Sequence, residues 1–193
     1  MGDFGLWFGT GLAHIADWQA YDHILFLLAL CGMYGTKDWR TLLLLITAFT
    51  LGHSLTLLLA VLDIVAIGAL WIEFLIPVTI IITCLWNLRQ SANKTNAPPL
   101  LHYSMALFFG LIHGLGFSFL LKSMLGRETS LLQPLLGFNL GIEAGQLIII
   151  FATLLMGVVM TRVFGITEHK WRFFLSSAIF GIAFLMALER LPI

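Results

Sequence analysis

Residues 41–62 read TLLLLITAFTLGHSLTLLLAVL and contain no aspartate, glutamate, lysine or arginine. A helix needs about 20 apolar residues to cross the roughly 30 Å hydrocarbon core of a bilayer, and this stretch is long enough. Its only ionisable side chain is His53, which lies near the middle. The stretch therefore predicts a membrane-spanning helix with a histidine inside the bilayer.

The rest of the 193-residue chain has the same character. Apolar residues make up 60% of it and Asp, Glu, Lys and Arg only 10%, and its mean hydropathy is +0.98. A soluble domain is about 45–50% apolar and about 25% charged. Too few charges remain here to cover a water-facing surface, which excludes a disordered protein, a nucleic-acid binder and most soluble enzymes. We expect an all-α, polytopic membrane domain over residues 1–193, in contact with the lipid bilayer.

Further apolar stretches predict the other membrane segments. Four of them are long enough to cross, or nearly so, and cover residues 68–88, 99–121, 131–161 and 173–188. We expect residues 21–34 to form a further span, and residues 4–18 before it to form a half-inserted or re-entrant helix. The prediction is a bundle of about six transmembrane helices plus one N-terminal membrane segment.

Basic residues in the predicted loops indicate the orientation. Loops that alternate onto one side hold seven of the ten: Lys37, Arg40, Arg89, Lys94, Arg162, Lys170 and Arg172. Lys and Arg accumulate on the cytoplasmic side, so we expect both termini to be outside, in the periplasm of a bacterial-type inner membrane. The polar segment 91–99 divides the chain into halves 1–93 and 98–193. Each half would have three spans, so the halves would be oppositely oriented, as in inverted-repeat transporters.

Ionisable side chains are frequent at and inside these spans. A charged group costs about 2.5–3.5 kcal/mol at mid-membrane on insertion scales, so such residues usually mark functional sites. The candidates are His14, Asp17, Asp22, His23, His53, Glu73, His113 and Glu143, accompanied by the polar residues Ser54, Asn139 and Gln146.

Spacing indicates that these side chains converge. His14 and Asp17 are three residues apart and would share a helix face, and Glu143 lies four residues after Asn139. Glycines beside the mid-span histidines favour close helix packing, which brings polar faces together. We therefore expect the eight ionisable candidates to form one metal site. Imidazole and carboxylate ligands suit zinc, nickel, cobalt or iron(II), and the three polar residues would orient the ligands or join them.

Simpler roles remain open for several of these residues. A single intramembrane histidine often makes a hydrogen bond between helices, Glu73 could lie at the membrane surface, and Asp17 and Asp22 could mark an exposed turn. His102 is expected to be interfacial and His169 solvated. Two further residues inside apolar runs, Cys31 and Cys84, are expected to pack as small apolar side chains.

The stretches that carry the candidate ligands resemble the HupE/UreJ family of membrane proteins. They are residues 22–30 (DHILFLLAL), 47–56 (TAFTLGHSLT), 109–117 (FGLIHGLGF) and 138–146 (FNLGIEAGQ), with His14 and Glu73 in matching order. The resemblance implies a nickel or cobalt permease, a secondary transporter of about six spans. The family is associated with hydrogenase and urease accessory genes. The candidate protein partners are a second copy of the chain, in a homo-oligomer, and an accessory metalloprotein.

Three functions compete at this point. In a metal permease, a cation would enter at Asp22 and His23 and pass to His53, His113 and Glu143. In an intramembrane zinc-type hydrolase, His23, His53 and His113 would hold the metal. Glu143 or Asp22 would act as general base, and Ser54 would donate a hydrogen bond. A structural subunit would use the polar cluster only to hold the bundle together. The sequence contains no phosphate-binding G-x-x-x-x-G-K-[ST] loop, so ATP hydrolysis is excluded.

Overall fold

A computed structural model describes residues 4–34, 36–89, 99–125 and 131–192. These residues form helices and connecting turns, with no strand among them. The helices are α1 (Phe4–Ile15), α2 (Asp22–Met33), α3 (Trp39–Val61), α4 (Ala69–Arg89), α5 (Pro99–Leu125), α6 (Leu132–Arg162) and α7 (Glu168–Glu189), with one 3-10 turn, Thr36–Asp38, before α3. The segment 91–99, predicted to separate two halves, lies outside the described residues except for Pro99.

Five of these helices, α3 to α7, are long and apolar enough to cross a membrane. Their bounds agree with the predicted spans to within about five residues. The expected span at residues 21–34 forms α2 instead, which has 12 residues and a length of about 18 Å at 1.5 Å per residue. That is shorter than the hydrocarbon core, so six full spans stay a prediction.

The two short helices α1 and α2 run in the same direction. Helix α1 lies parallel to α6, since Gly137 adjoins Phe4 and Gly145 adjoins Ile15. Helix α2 ends beside the start of α5, where the Tyr34 hydroxyl meets His102. Both therefore point to the end of the bundle that carries most of the basic residues, called the basic end below. Together they resemble the discontinuous helices of transporters, whose interruption exposes helix ends to a ligand.

Glycines set the closest helix contacts. A Cβ atom at Gly52 would lie 2.2 Å from the Leu107 carbonyl oxygen, and one at Gly110 would lie 2.1 Å from that of Phe49. Helices α3 and α5 thus touch backbone to backbone, as small residues allow in membranes. Gly11 and Gly141 make the equivalent contact between α1 and α6.

The outside of the bundle is apolar, as lipid contact requires. Phe119, Ile148, Phe151 and Leu185 are more than half exposed. Polar side chains, including His23, His53, His113 and Gln146, are instead buried between the helices. Cys31 and Cys84 are buried and unpaired, which confirms their predicted role in packing.

Candidate metal centre

Three histidines meet where α1 ends and α2 begins. His14 is the last residue but one of α1, His23 is the second residue of α2, and His53 lies in α3. One ring nitrogen from each lies within 4.8 Å of the others. The ring centroids of His14 and His23 are 4.6 Å apart, and each lies 5.8 Å from that of His53. Two nitrogens bound to one ion at about 2.1 Å are at most about 4.2 Å apart, so a small movement of the rings would let them share a cation.

Several nitrogens of this three-histidine cluster have no hydrogen-bond partner among the described residues. They are Nε2 of His14, both ring nitrogens of His23 and both ring nitrogens of His53, all buried. Of these, Nδ1 of His23 lies near a carboxylate, at 3.2 Å from Oδ1 of Asp22. An unsatisfied buried polar group costs about 1–3 kcal/mol. Unpartnered imidazole nitrogens that lie close together are a ligand set that suits a borderline transition-metal cation.

His113 adjoins the three-histidine cluster from α5. Its ring centroid lies 5.1 Å from that of His23, and its Nε2 lies 2.9 Å from the Thr79 hydroxyl. That hydroxyl already donates its only hydrogen to the Ile76 carbonyl, at 2.7 Å. It must therefore accept from Nε2–H of the neutral His113 ring, which leaves the lone pair on Nδ1. This Nδ1 atom is buried and has no partner, as a ligand atom would be before a cation arrives.

Asp22 supplies the carboxylate beside the cluster. It is 7% exposed and lies at the N-terminus of α2, where the helix dipole favours a negative charge. Its Oδ1 accepts the backbone N–H of His23 at 2.9 Å and lies 3.2 Å from Nδ1 of the same residue. A carboxylate beside Nδ1 favours the proton there and keeps Nε2 free to bind a metal. Its Oδ2 faces Arg190, with 3.5 Å to Nη1.

Two stacked phenylalanine pairs enclose the histidines. Phe26 and Phe49 have ring centroids 4.8 Å apart, and Phe49 contacts the rings of His23, His53 and His113. On the other side, Phe117 and Phe138 stack at 5.0 Å, and Phe117 lies 3.9 Å from the His14 ring. The rings exclude water from the site, which strengthens electrostatic interactions inside it.

Two polar residues of α6, Glu143 and Gln146, form hydrogen bonds with α3. Glu143 accepts a hydrogen bond from Thr47 at 3.3 Å, and Gln146 accepts one from Thr50 at 2.8 Å. Asn139 has a buried side-chain oxygen without a partner. Ser54 donates to the Thr50 carbonyl of its own helix at 2.6 Å.

Besides Glu143, two more of the predicted ligands have other contacts or surroundings. Helix α1 ends at Ile15, so Asp17 does not share a helix face with His14 as expected, and its carboxylate instead accepts the Gln19 backbone N–H. Glu73 is exposed and lines a cavity of about 270 Å³ together with Asp63 and Lys122, which pair with each other.

His102 lies in the first turn of α5, near the basic end of the bundle, and its interfacial role stays a prediction. It is 5% exposed, because the Tyr34 hydroxyl at 3.1 Å and the Trp86 ring enclose it. His169 is exposed, as expected.

Sequence reasoning missed two residues that contact the site, Thr79 and Arg190. Thr79 carries no signal beyond its place in an apolar span, and Arg190 follows the last predicted span. Their partners His113 and Asp22 lie 34 and 168 residues away in the chain.

Replacing Thr79 by valine should weaken metal binding about 10–100-fold, since partners that orient a ligand have effects of this size. Without the hydroxyl, nothing fixes the proton on Nε2 of His113. Isothermal titration of the purified protein with nickel would measure the effect. Thr83→Val in the next turn is the matched control, because that hydroxyl donates to the Thr79 carbonyl. Equal affinities for the two variants would contradict the assigned role.

Comparison with protein families identifies the family of the chain. A family model described as HupE / UreJ protein matches residues 1–190. The chain belongs to the HupE/UreJ family. This is a family of membrane proteins linked to nickel and cobalt uptake, and the five long apolar helices agree with it. No curated protein and no solved structure matches the chain.

Proposed function

We propose that this HupE/UreJ protein is a divalent metal-ion permease whose substrate is a nickel- or cobalt-type cation. The observation that supports it is the three-histidine cluster, in which one ring nitrogen each from α1, α2 and α3 lies within 4.8 Å of the others, with unpartnered buried nitrogens among them. His113 adds a further imidazole beside it, and Asp22 holds a carboxylate against Nδ1 of His23.

The distribution of the ligands over separate helices suits transport. A permeating ion must bind strongly enough to enter and weakly enough to leave. His14 lies at the end of one short helix and His23 at the start of the next. A small movement of α1 against α2 would separate these two ligands and lower the affinity, which releases the ion.

The depth of the site also fits a transporter. His113 lies 14 residues from the start of α5 and 12 from its end, or about 20 Å from either end at 1.5 Å per residue. Substrate sites of secondary transporters lie near the membrane midplane, at discontinuous helices.

Uptake by proteoliposomes tests the proposal. We expect the full chain to carry nickel or cobalt into sealed vesicles, and His23→Ala and His113→Ala each to reduce the initial rate at least tenfold. His169→Ala is the matched control, since this exposed histidine at the start of α7 lies far from the site along the chain. Wild-type rates no higher than those of empty vesicles would reject the permease, as would equal losses for all three variants.

The intramembrane hydrolase is the alternative function, and the same purified protein can be used to test it. It needs a base and an open coordination position at a tightly held zinc ion. Its two expected bases have other partners: Glu143 accepts a hydrogen bond from Thr47, and Asp22 contacts His23 and Arg190. Its expected hydrogen-bond donor Ser54 donates to the Thr50 carbonyl, so no contact favours the hydrolase over the permease. One zinc retained per chain through chelation, without uptake activity, would favour the hydrolase.

A further inference from the structure

Arg190 brings a fixed positive charge to the carboxylate beside the histidines. It follows α7 directly, at the end of the bundle opposite the basic end. Its Nη1 lies 3.5 Å from Oδ2 of Asp22, a residue 168 positions earlier in the chain. The Asp22 side chain is 10% exposed and that of Arg190 is 30% exposed. The ion pair therefore joins the buried site to the surface.

The geometry gives the two oxygens of Asp22 different partners. Oδ1 faces His23, through the backbone N–H and Nδ1, whereas Oδ2 faces the guanidinium group. A divalent cation on Nε2 of His23 would lie across the imidazole ring from this carboxylate, and the charge of Arg190 would repel it. In an interior of low effective dielectric, such repulsion is strong. An ion pair with a partly exposed arginine can open, because the long side chain can carry its head group back to water.

We propose that Arg190 is the internal counter-ion of Asp22, and that the guanidinium group and a metal ion on His23 compete for the negative charge of this carboxylate. The proposal rests on the proposed function, because it describes how that site exchanges its substrate. With the site empty, Arg190 neutralises Asp22. A cation that arrives at His23 displaces the guanidinium group toward water. The return of the guanidinium group to Asp22 then competes with the bound cation and speeds its release. Arg190 is a positioning residue that acts through Asp22, not a ligand.

Nickel binding to the purified full-length protein tests this competition. Arg190→Gln removes the competing charge, and we expect the dissociation constant for nickel to fall at least tenfold. Uptake should show a lower KM together with a lower maximal rate, because release becomes slower. Arg190→Lys should stay within about threefold of the wild type. Arg172→Gln is the matched control, since this arginine lies on the same helix, is similarly exposed at 37% and pairs with Glu168.

Chemical modification of the wild-type protein provides a test that needs no variant. Phenylglyoxal, which reacts with free guanidinium groups, should modify Arg190 at least threefold faster when nickel is present, while the rate at Arg172 stays constant. Mass spectrometry of the peptides resolves the two sites.

The outcomes separate this inference from the permease itself. An unchanged or weaker nickel affinity in Arg190→Gln, with a folded variant, overturns the inference while wild-type binding and uptake leave the permease in place. If Arg190→Gln does not fold, the modification experiment decides: a rate of Arg190 modification that does not depend on nickel overturns the inference. A wild-type protein that binds nickel without transporting it would reject the permease, and the affinity comparison would still decide the role of Arg190. Absence of nickel and cobalt binding to the wild type would overturn both.

Discussion

Replacing Gly11 by alanine is expected to separate α1 from α6 and to weaken metal binding at least tenfold. A Cβ atom at this position would lie 2.0 Å from the Phe138 carbonyl oxygen and 3.1 Å from the Ile142 backbone nitrogen. Both neighbours are backbone atoms of a long helix, so no side-chain rotation relieves the clash. Extra methyl groups in tight packing typically cost about 1–3 kcal/mol. Because His14 lies three residues further along α1, the displacement would carry its ring away from His23 and His53.

Gly9→Ala is the matched control for this prediction. It lies on the same helix, and a Cβ atom there would have no neighbour within 4 Å. Both substitutions also raise the helix propensity by similar amounts, about 1 kcal/mol, so the difference between them isolates the contact with α6. Thermal unfolding in detergent and nickel titration would be measured for both. Comparable unfolding temperatures and affinities would mean that α1 does not depend on Gly11 for its position.

The sequence allowed the long helices to be predicted but not their partners. Apolar length alone located α3 to α7, because a span needs about 20 apolar residues whichever way it faces. Partner choice depends instead on where two backbones can touch. The chain has 18 glycines, and the sequence around Gly52 and Gly110 does not distinguish these two as the ones through which α3 packs against α5. The short α2 was predicted as a full span from its apolar composition, although its 12 residues are too few to cross the bilayer.

The candidate site was predictable to a similar degree. Histidines inside apolar spans stand out, since few residue types are as costly there, and His14, His23 and His53 do meet in the fold. Asp17 was assigned to the helix of His14 because three-residue spacing assumes a helix that continues, whereas α1 ends at Ile15. Arg190 could not be predicted at all, because an arginine after the last span has the same appearance whether it faces water or reaches a carboxylate.

Replacing His53 by leucine is expected to have opposite effects on the metal-free and metal-loaded protein. His53 is fully buried, and neither of its ring nitrogens has a hydrogen-bond partner among the described residues. Exchanging such an unsatisfied group for an apolar side chain of similar size should raise the free energy of unfolding without metal by about 1–3 kcal/mol. In the wild type, nickel at 100 times its dissociation constant adds about 2.7 kcal/mol. The variant should lose most of this gain, because one of three converging imidazoles is gone.

His102→Leu is the matched control, since His102 is also a buried histidine but one of its ring nitrogens has a hydrogen-bond partner. The Tyr34 hydroxyl lies 3.1 Å from its Nδ1, whereas its Nε2 is buried without a partner. Leucine would therefore lose one hydrogen bond and remove one unsatisfied nitrogen, and the free energy of unfolding should change less than in His53→Leu. The gain from nickel should persist. Without nickel, the unfolding temperature should rise in His53→Leu more than in His102→Leu, and with nickel only His102→Leu should keep the gain. A histidine at position 53 that served only to hold helices together would behave like His102, and a loss of metal-free stability in His53→Leu would contradict its assignment as a ligand.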